Sequence, residues 1–160
     1  MTHAAVPIGL CILLAGCAPP AAPVLPLVPD DFTLRGVPVD ADSTEIRFTF
    51  GDPDSIAESD NPFEDDAPLV TWMYDGFEVR FGGEGMPLGY MIVAPGEQTA
   101  RGVAVGDAAQ QALELYGEPT MRFPPGWTWA DTTDGTALRI IDVVVQADTI
   151  SRIYIGRAHE

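Results

Sequence analysis

The chain contains no lysine, and its positive charge comes only from eight arginines set against 24 acidic residues, a net charge of -16. A surface of that sign repels phosphate backbones, which excludes nucleic acid as a partner. Histidine is nearly absent, with His3 close to the start and His159 beside the last residue. A Ser-His-acid hydrolase or a histidine-rich zinc site has no material to be built from. Cysteine occurs only at positions 11 and 17, inside or at the end of the first apolar stretch, so the rest of the chain has no disulfide and no thiol chemistry. That stretch, Val6 to Leu14, is too short to cross a bilayer as a finished helix.

The apolar stretch ends in Leu14-Ala15-Gly16-Cys17. A thiol preceded by small residues at the close of a short apolar run resembles a lipoprotein attachment site. It implies a signal peptide over residues 1–16 and acylation (palmitate) at Cys17. Residues 17–30 then read as the lipidated cysteine and a tether. Between Ala18 and Pro29 there are five prolines and no charge. Such a composition favours extended polyproline structure at about 3.1 Å per residue, a reach of roughly 35 to 40 Å. Ala18 is not the aspartate associated with inner-membrane retention. The resemblance therefore implies a lipid anchor on the periplasmic face of the outer membrane, with an envelope protein as partner.

Every formal charge lies at or after Asp30, and the acidic remainder has the length of one ordinary domain. Within it the chain repeats itself. Thr33 to Val39 (TLRGVPV) returns as Thr99 to Val105 (TARGVAV), and Phe50 to Pro53 (FGDP) returns in the same register as Tyr116 to Pro119 (YGEP). Further on, Trp72 and Tyr74 answer to Trp127 and Trp129, and Asp75-Gly76 to Asp134-Gly135. Two tandem repeats are expected, residues 31–95 and 96–160.

Local patterns suggest what each repeat contains. Asp107 is placed to cap a helix in which Ala108, Ala112, Leu113 and Tyr116 recur at helical spacing, and Gly117 and Pro119 stop it. Asp42 and Glu45 offer a capping box to the matching segment, although Ile46, Phe48 and Phe50 also alternate as a strand would; the repeat favours helix. Leu69 to Tyr74 and Phe77 to Phe81 flank Asp75-Gly76 as a two-residue hairpin, with Phe77, Val79 and Phe81 on one face and Glu78 and Arg80 on a wet or contact face. Strands are also expected at Leu88 to Val93, Thr128 to Ala130, Ala137 to Gln146 and Ile150 to Gly156. The expected fold class is α+β: two tandem repeats, each a short helix followed by a three-stranded antiparallel sheet, with the helices packed on one sheet face.

Glycine, an acidic residue and proline at the helix end, then tryptophan-x-aromatic, then Asp-Gly, is an order that resembles the BamE/SmpA outer-membrane lipoprotein family. It is also similar to the tandem fold of the β-lactamase inhibitory proteins. The residues concerned are Gly51, Asp52, Pro53, Trp72, Tyr74, Asp75 and Gly76, then Gly117, Glu118, Pro119, Trp127, Trp129, Asp134 and Gly135. The resemblance implies assembly factors or protein-binding domains, and no catalytic residue among those matched.

On this reading the chain is not an enzyme and takes no cofactor. It is a lipid-anchored periplasmic module for protein interaction or envelope assembly. Trp72, Tyr74, Tyr90, Trp127, Trp129 and Tyr154 on strands are candidate protein-contact residues, with core packing as the competing role. Arg35 and Arg101, at equivalent places in the repeats, are expected to be structural. The first repeat is longer than the second between Pro53 and Trp72, and the extra loop is acidic. Asp54, Glu58, Asp60, Glu64 and Asp65 there are calcium candidates, the basis of an alternative function in binding calcium or a small ligand.

Overall fold

The computed structural model describes residues 25–61, 67–131 and 139–158. The stretch from Leu25 leads into a short 3-10 turn at Pro29–Phe32 and a small hairpin of β1 (Thr33–Leu34) and β2 (Val37–Pro38). Arg35 and Gly36 form its two-residue turn with φ of 51° and 81°, the left-handed values that such a turn requires. Helix α1 (Ser43–Phe50) follows, and Asp42 caps it by accepting from the Thr44 and Glu45 amides at 2.8 and 2.9 Å. Only Ile46 of this helix is fully buried, while Phe48 is 90% exposed.

Strands β3 (Ser55–Ser59), β4 (Leu69–Tyr74), β5 (Phe77–Phe81) and β6 (Pro87–Ile92) come next. Helix α2 (Ala109–Tyr116) then precedes β7 (Met121–Phe123), β8 (Gly126–Asp131), β9 (Arg139–Gln146) and β10 (Thr149–Arg157). The eight strands make one antiparallel sheet in the order β3-β4-β5-β6-β10-β9-β8-β7.

This overturns the expected fold class. The described residues are mostly β, with two short helices, a two-stranded hairpin and a continuous eight-stranded sheet, rather than two helix-plus-three-strand units. Two strands account for the miscount. β3 is polar and lies where an acidic loop is expected; it is an edge strand, held by its ladder to β4, with Ile56 half exposed. β7 is three exposed residues ending at Pro124 and Pro125, too short to show a period. The pairing of β6 with β10, which joins Gly89 to Gly156 and Tyr90 to Ile155, fuses the halves into one sheet.

One cross-strand row shows how the core is built. Ile56, Trp72, Val79, Tyr90, Ile155, Ile141 and Trp129 face one another across seven strands, and all but Ile56 are buried. The helices pack on this face through Ile46, Ala112 and Tyr116. Burying an isoleucine or phenylalanine side chain stabilises by about 1.5–3 kcal/mol, so this shared core binds both halves.

The expected Asp107 cap is also corrected. Ala108 holds the N-cap position of α2 with no side-chain cap, because the Asp107 carboxylate is used one turn earlier, accepting from the Ala104 amide at 2.8 Å. Both helices end at glycines with φ of 85° (Gly51) and 76° (Gly117), where a side chain would strain the backbone.

Candidate functional site

Most of the aromatic candidates prove to be structural. Trp72, Tyr90 and Trp129 are 8%, 1% and 2% exposed, in the core rather than on a contact patch. The cause lies in their bonds. Tyr74 donates its hydroxyl to the Gly51 carbonyl at 3.2 Å, and Trp129 donates its indole N–H to the Gly117 carbonyl at 3.1 Å. The aromatic residue after each tryptophan-x pair thus satisfies an orphan carbonyl at the end of a helix. Tyr90 donates to the Pro38 carbonyl at 2.9 Å. Trp127, half-buried, carries the Arg122 guanidinium 4.9 Å from its ring centre, and Arg47 lies 4.6 Å over Trp72. Of the six candidates only Tyr154 lies on the opposite sheet face.

Arg35 and Arg101 act as clasps. Arg101 binds both oxygens of the buried Asp31, at 2.7 and 2.6 Å, and donates to the carbonyls of Leu115 and Pro26. Arg35 pairs with Glu97. The calcium candidates Asp54, Glu58 and Asp60 are exposed on or beside β3, and Glu64 and Asp65 lie outside the described residues. Among the described residues no group of three His, Cys, Asp or Glu side chains is placed to hold a metal ion. Cys17, the expected signal peptide over residues 1–16, His159 and the expected turn at Asp134-Gly135 lie outside them too.

The sheet face away from the helices is different in kind. Its central cross-strand row is Met73, Glu78, Met91, Tyr154, Asp142, Thr128 and Met121. Among the described residues no helix covers it. A groove of about 450 Å³ runs over β6, β10 and β9, with Leu69, Leu88, Phe123, Ile140 and Val144 among its apolar walls.

Two glycines shape the floor of the groove. Gly89 and Gly156 are cross-strand partners, and the Tyr154 ring lies against them. A Cβ on Gly156 would overlap the Tyr154 ring and hydroxyl and come within 2.5 Å of the Leu88 carbonyl oxygen. Gly89 has φ of 156°, and a Cβ there would sit 3.0 Å from Tyr154 Cε2. Without these glycines the ring has no place to lie flat. Its hydroxyl donates to the Leu88 carbonyl at 2.9 Å and lies 3.2 Å from that of Arg157. Burial in this position pushes the phenol up to about 12.

The arginines divide cleanly. Arg35, Arg47, Arg101, Arg122 and Arg139 each lie over an aromatic ring. The remaining three, Arg80, Arg152 and Arg157, all line the groove. Arg80 pairs with Glu78 at 3.0 Å. Asp142 is the one carboxylate among the described lining residues; it accepts from the Thr128 hydroxyl at 2.5 Å, and burial raises its pKa above the usual aspartate value against the opposing effect of that bond.

Comparison of the chain with protein-family models, curated proteins and solved structures finds no match. The likeness to BamE/SmpA lipoproteins and to β-lactamase inhibitory proteins rests on the quoted residues alone, and several of those residues are explained by helix-end bonding.

Sequence reasoning missed Arg152, Arg157, Asp142 and the apolar walls. The alternation of β5 did set Glu78 and Arg80 apart from the core. The rest of the groove depends on β6 meeting β10, and no local pattern encodes that meeting.

Proposed function

We propose that this chain is a non-catalytic binding module of the bacterial envelope, engaging a protein partner through its open sheet face. One observation carries the reading. Among the described residues, a sheet face without helices presents an apolar groove lined by Arg80, Arg152 and Arg157, the three arginines not stacked on aromatic rings. Concave sites lined by apolar side chains with a few convergent polar groups are the usual form of a binding site.

Membrane attachment through a lipid at Cys17, on the periplasmic face of the outer membrane, is the companion proposal, supported by Leu14 to Cys17 and the proline-rich stretch behind it. It requires a mass increase of an acylated N-terminal cysteine in protein purified from membranes. An unmodified, soluble product refutes it.

The binding surface is tested with a photo-crosslinking amino acid placed at Phe123 in the groove or at the exposed Gln110 on α2. Crosslinking in the native envelope is expected to trap one partner from position 123 and none from position 110. The reverse pattern would move the binding surface to the helix side.

A further inference from the structure

The two edges of the sheet are finished differently. β7 is three residues long and runs into Pro124 and Pro125, which have no amide to donate. Its helix-side residue, Arg122, lies over Trp127 and pairs with Glu118 at 2.9 Å. That edge is blunted. β3 is five residues long, contains no proline, and has no neighbour beyond it among the described residues. Where β7 shows Arg122, β3 shows Ile56, 52% exposed beside the buried Trp72. The core row that crosses seven strands therefore ends on an open apolar side chain, at an edge whose outward amides and carbonyls meet no described strand.

From this asymmetry we infer that β3 is a second docking surface, distinct from the open sheet face, and that it takes an antiparallel strand of basic-x-apolar pattern from another protein. Every pairing in the sheet is antiparallel, so an added strand continues it in the same sense. On the helix side β3 presents Ile56 and Glu58, which pair with Trp72 and Val70. An incoming antiparallel strand meets Glu58 first and Ile56 two residues later. A basic residue followed at i+2 by an apolar one satisfies both and extends the core row by one side chain. On the other face Ser55, Ala57 and Ser59 are small, and hydroxyl-bearing residues suit the positions between.

Charge selects the occupant. Asp54, Glu58 and Asp60 are exposed along and beside the strand and form no ion pair among the described residues, and Asp52 has only Arg47, at 4.0 Å. These carboxylates, on a chain of net charge -16, draw in a basic segment and speed its arrival. Edge charge ordinarily keeps like-charged strands apart; toward a basic strand it works the other way. The same charge excludes a second copy. Two β3 strands paired about Ala57 would set each Ile56 against the other copy's Glu58 and gather both sets of carboxylates at one seam.

The test uses the full chain as its native cells produce it, in phosphatidylcholine nanodiscs, and a fluorescein-labelled peptide, threonine-arginine-threonine-isoleucine-threonine with serine flanks. One counterpart has glutamate for arginine. Two others keep the sequence and carry N-methyl groups on alternate amides, the first on arginine and isoleucine, the second on the three threonines. Anisotropy titration is expected to show the basic peptide binding at least about fivefold more tightly than the acidic one, with the preference reversed in Glu58→Arg. One methylated form should bind like the parent and the other not at all, since only alternate amides of an added strand face β3. Ile56→Ser, at an exposed site, is expected to weaken binding by a smaller factor without altering the melting temperature. Equal loss from both methylation patterns, a charge preference untouched by either, or no binding of any peptide overturns the inference. So does a dimer in sedimentation that Ile56→Arg dissolves, which would make the occupant a second copy. The crosslink at position 123 reads the open face alone, so either surface can fail without the other.

Discussion

Adding one methyl group at Gly156 tests whether Tyr154 is seated as described. An alanine Cβ there overlaps the tyrosine ring and hydroxyl and approaches the Leu88 carbonyl oxygen to 2.5 Å. The ring must leave, which breaks the hydrogen bond to Leu88 and the contact with Arg157; a net hydrogen bond stabilises by about 1 kcal/mol. Forcing the β6–β10 backbones apart adds an overpacking cost of about 1–3 kcal/mol. Gly156→Ala should therefore cost about 2–4 kcal/mol. For a domain of this size that is a fall in melting temperature of roughly 6–16 °C. Thermal unfolding followed by circular dichroism measures it. The double variant with Tyr154→Ala separates ring from backbone, because removing the ring relieves one clash and leaves the Leu88 approach. Its combined loss should be smaller than the sum of the two single losses. A Gly156→Ala protein within about 1 kcal/mol of the parent, or strict additivity in the cycle, would refute the seating of the ring.

Three further outcomes follow from the geometry. Asp31→Ala strips the Arg101 guanidinium of its buried partner and should cost about 3–5 kcal/mol by chemical denaturation, with Asp31→Asn losing less; equal stability to the parent would mean that the clasp contributes nothing. Because burial raises the Asp142 pKa, the folded state holds that proton to higher pH than the unfolded chain, and stability falls as pH rises through the carboxylate range. Asp142→Asn should accordingly melt above the parent at pH 7, with the gap closing toward pH 3; a gap that widens on acidification has the wrong sign. Tyr116 and Tyr154 are held neutral to about 12, and burial raises Tyr74 and Tyr90 as well, so alkaline titration should show little tyrosinate absorbance until unfolding, and stability should drop above pH 10. Ionisation of all four at pH 10 in folded protein would contradict the burial of these hydroxyls.

Legibility in the sequence follows the range of the interaction. Asp42 as a cap, Gly51 and Gly117 as helix ends, and Asp75-Gly76 as a turn with Gly76 at φ of 86° are local devices, and each was readable where it stood. β3 was lost because an edge strand without a buried face needs no apolar alternation; Ser55, Glu58 and Ser59 are all exposed. The Asp107 cap failed because its carboxylate had a nearer amide to serve. Aromatic bulk suits contact surfaces and cores alike, and here Trp129 and Tyr74 hold helix ends through the Gly117 and Gly51 carbonyls. The groove was beyond local reading altogether, because Gly89 and Gly156 become a floor only after strands 67 residues apart in sequence have paired.

That pairing has a bearing on how the molecule can be taken apart. Within β3 to β6, and again within β7 to β10, each strand bonds its neighbour in sequence, so the chain crosses between the halves once, through residues 93–108. Cut near Gly96, it yields two fragments, each a complete meander with one bare seam strand. The seam, the common core and the Asp31–Arg101 and Arg35–Glu97 pairs all bridge the cut. Co-produced fragments should therefore find one another and complement, and only the rejoined pair would display the groove. The protein is thus suited to being split as a reporter of proximity.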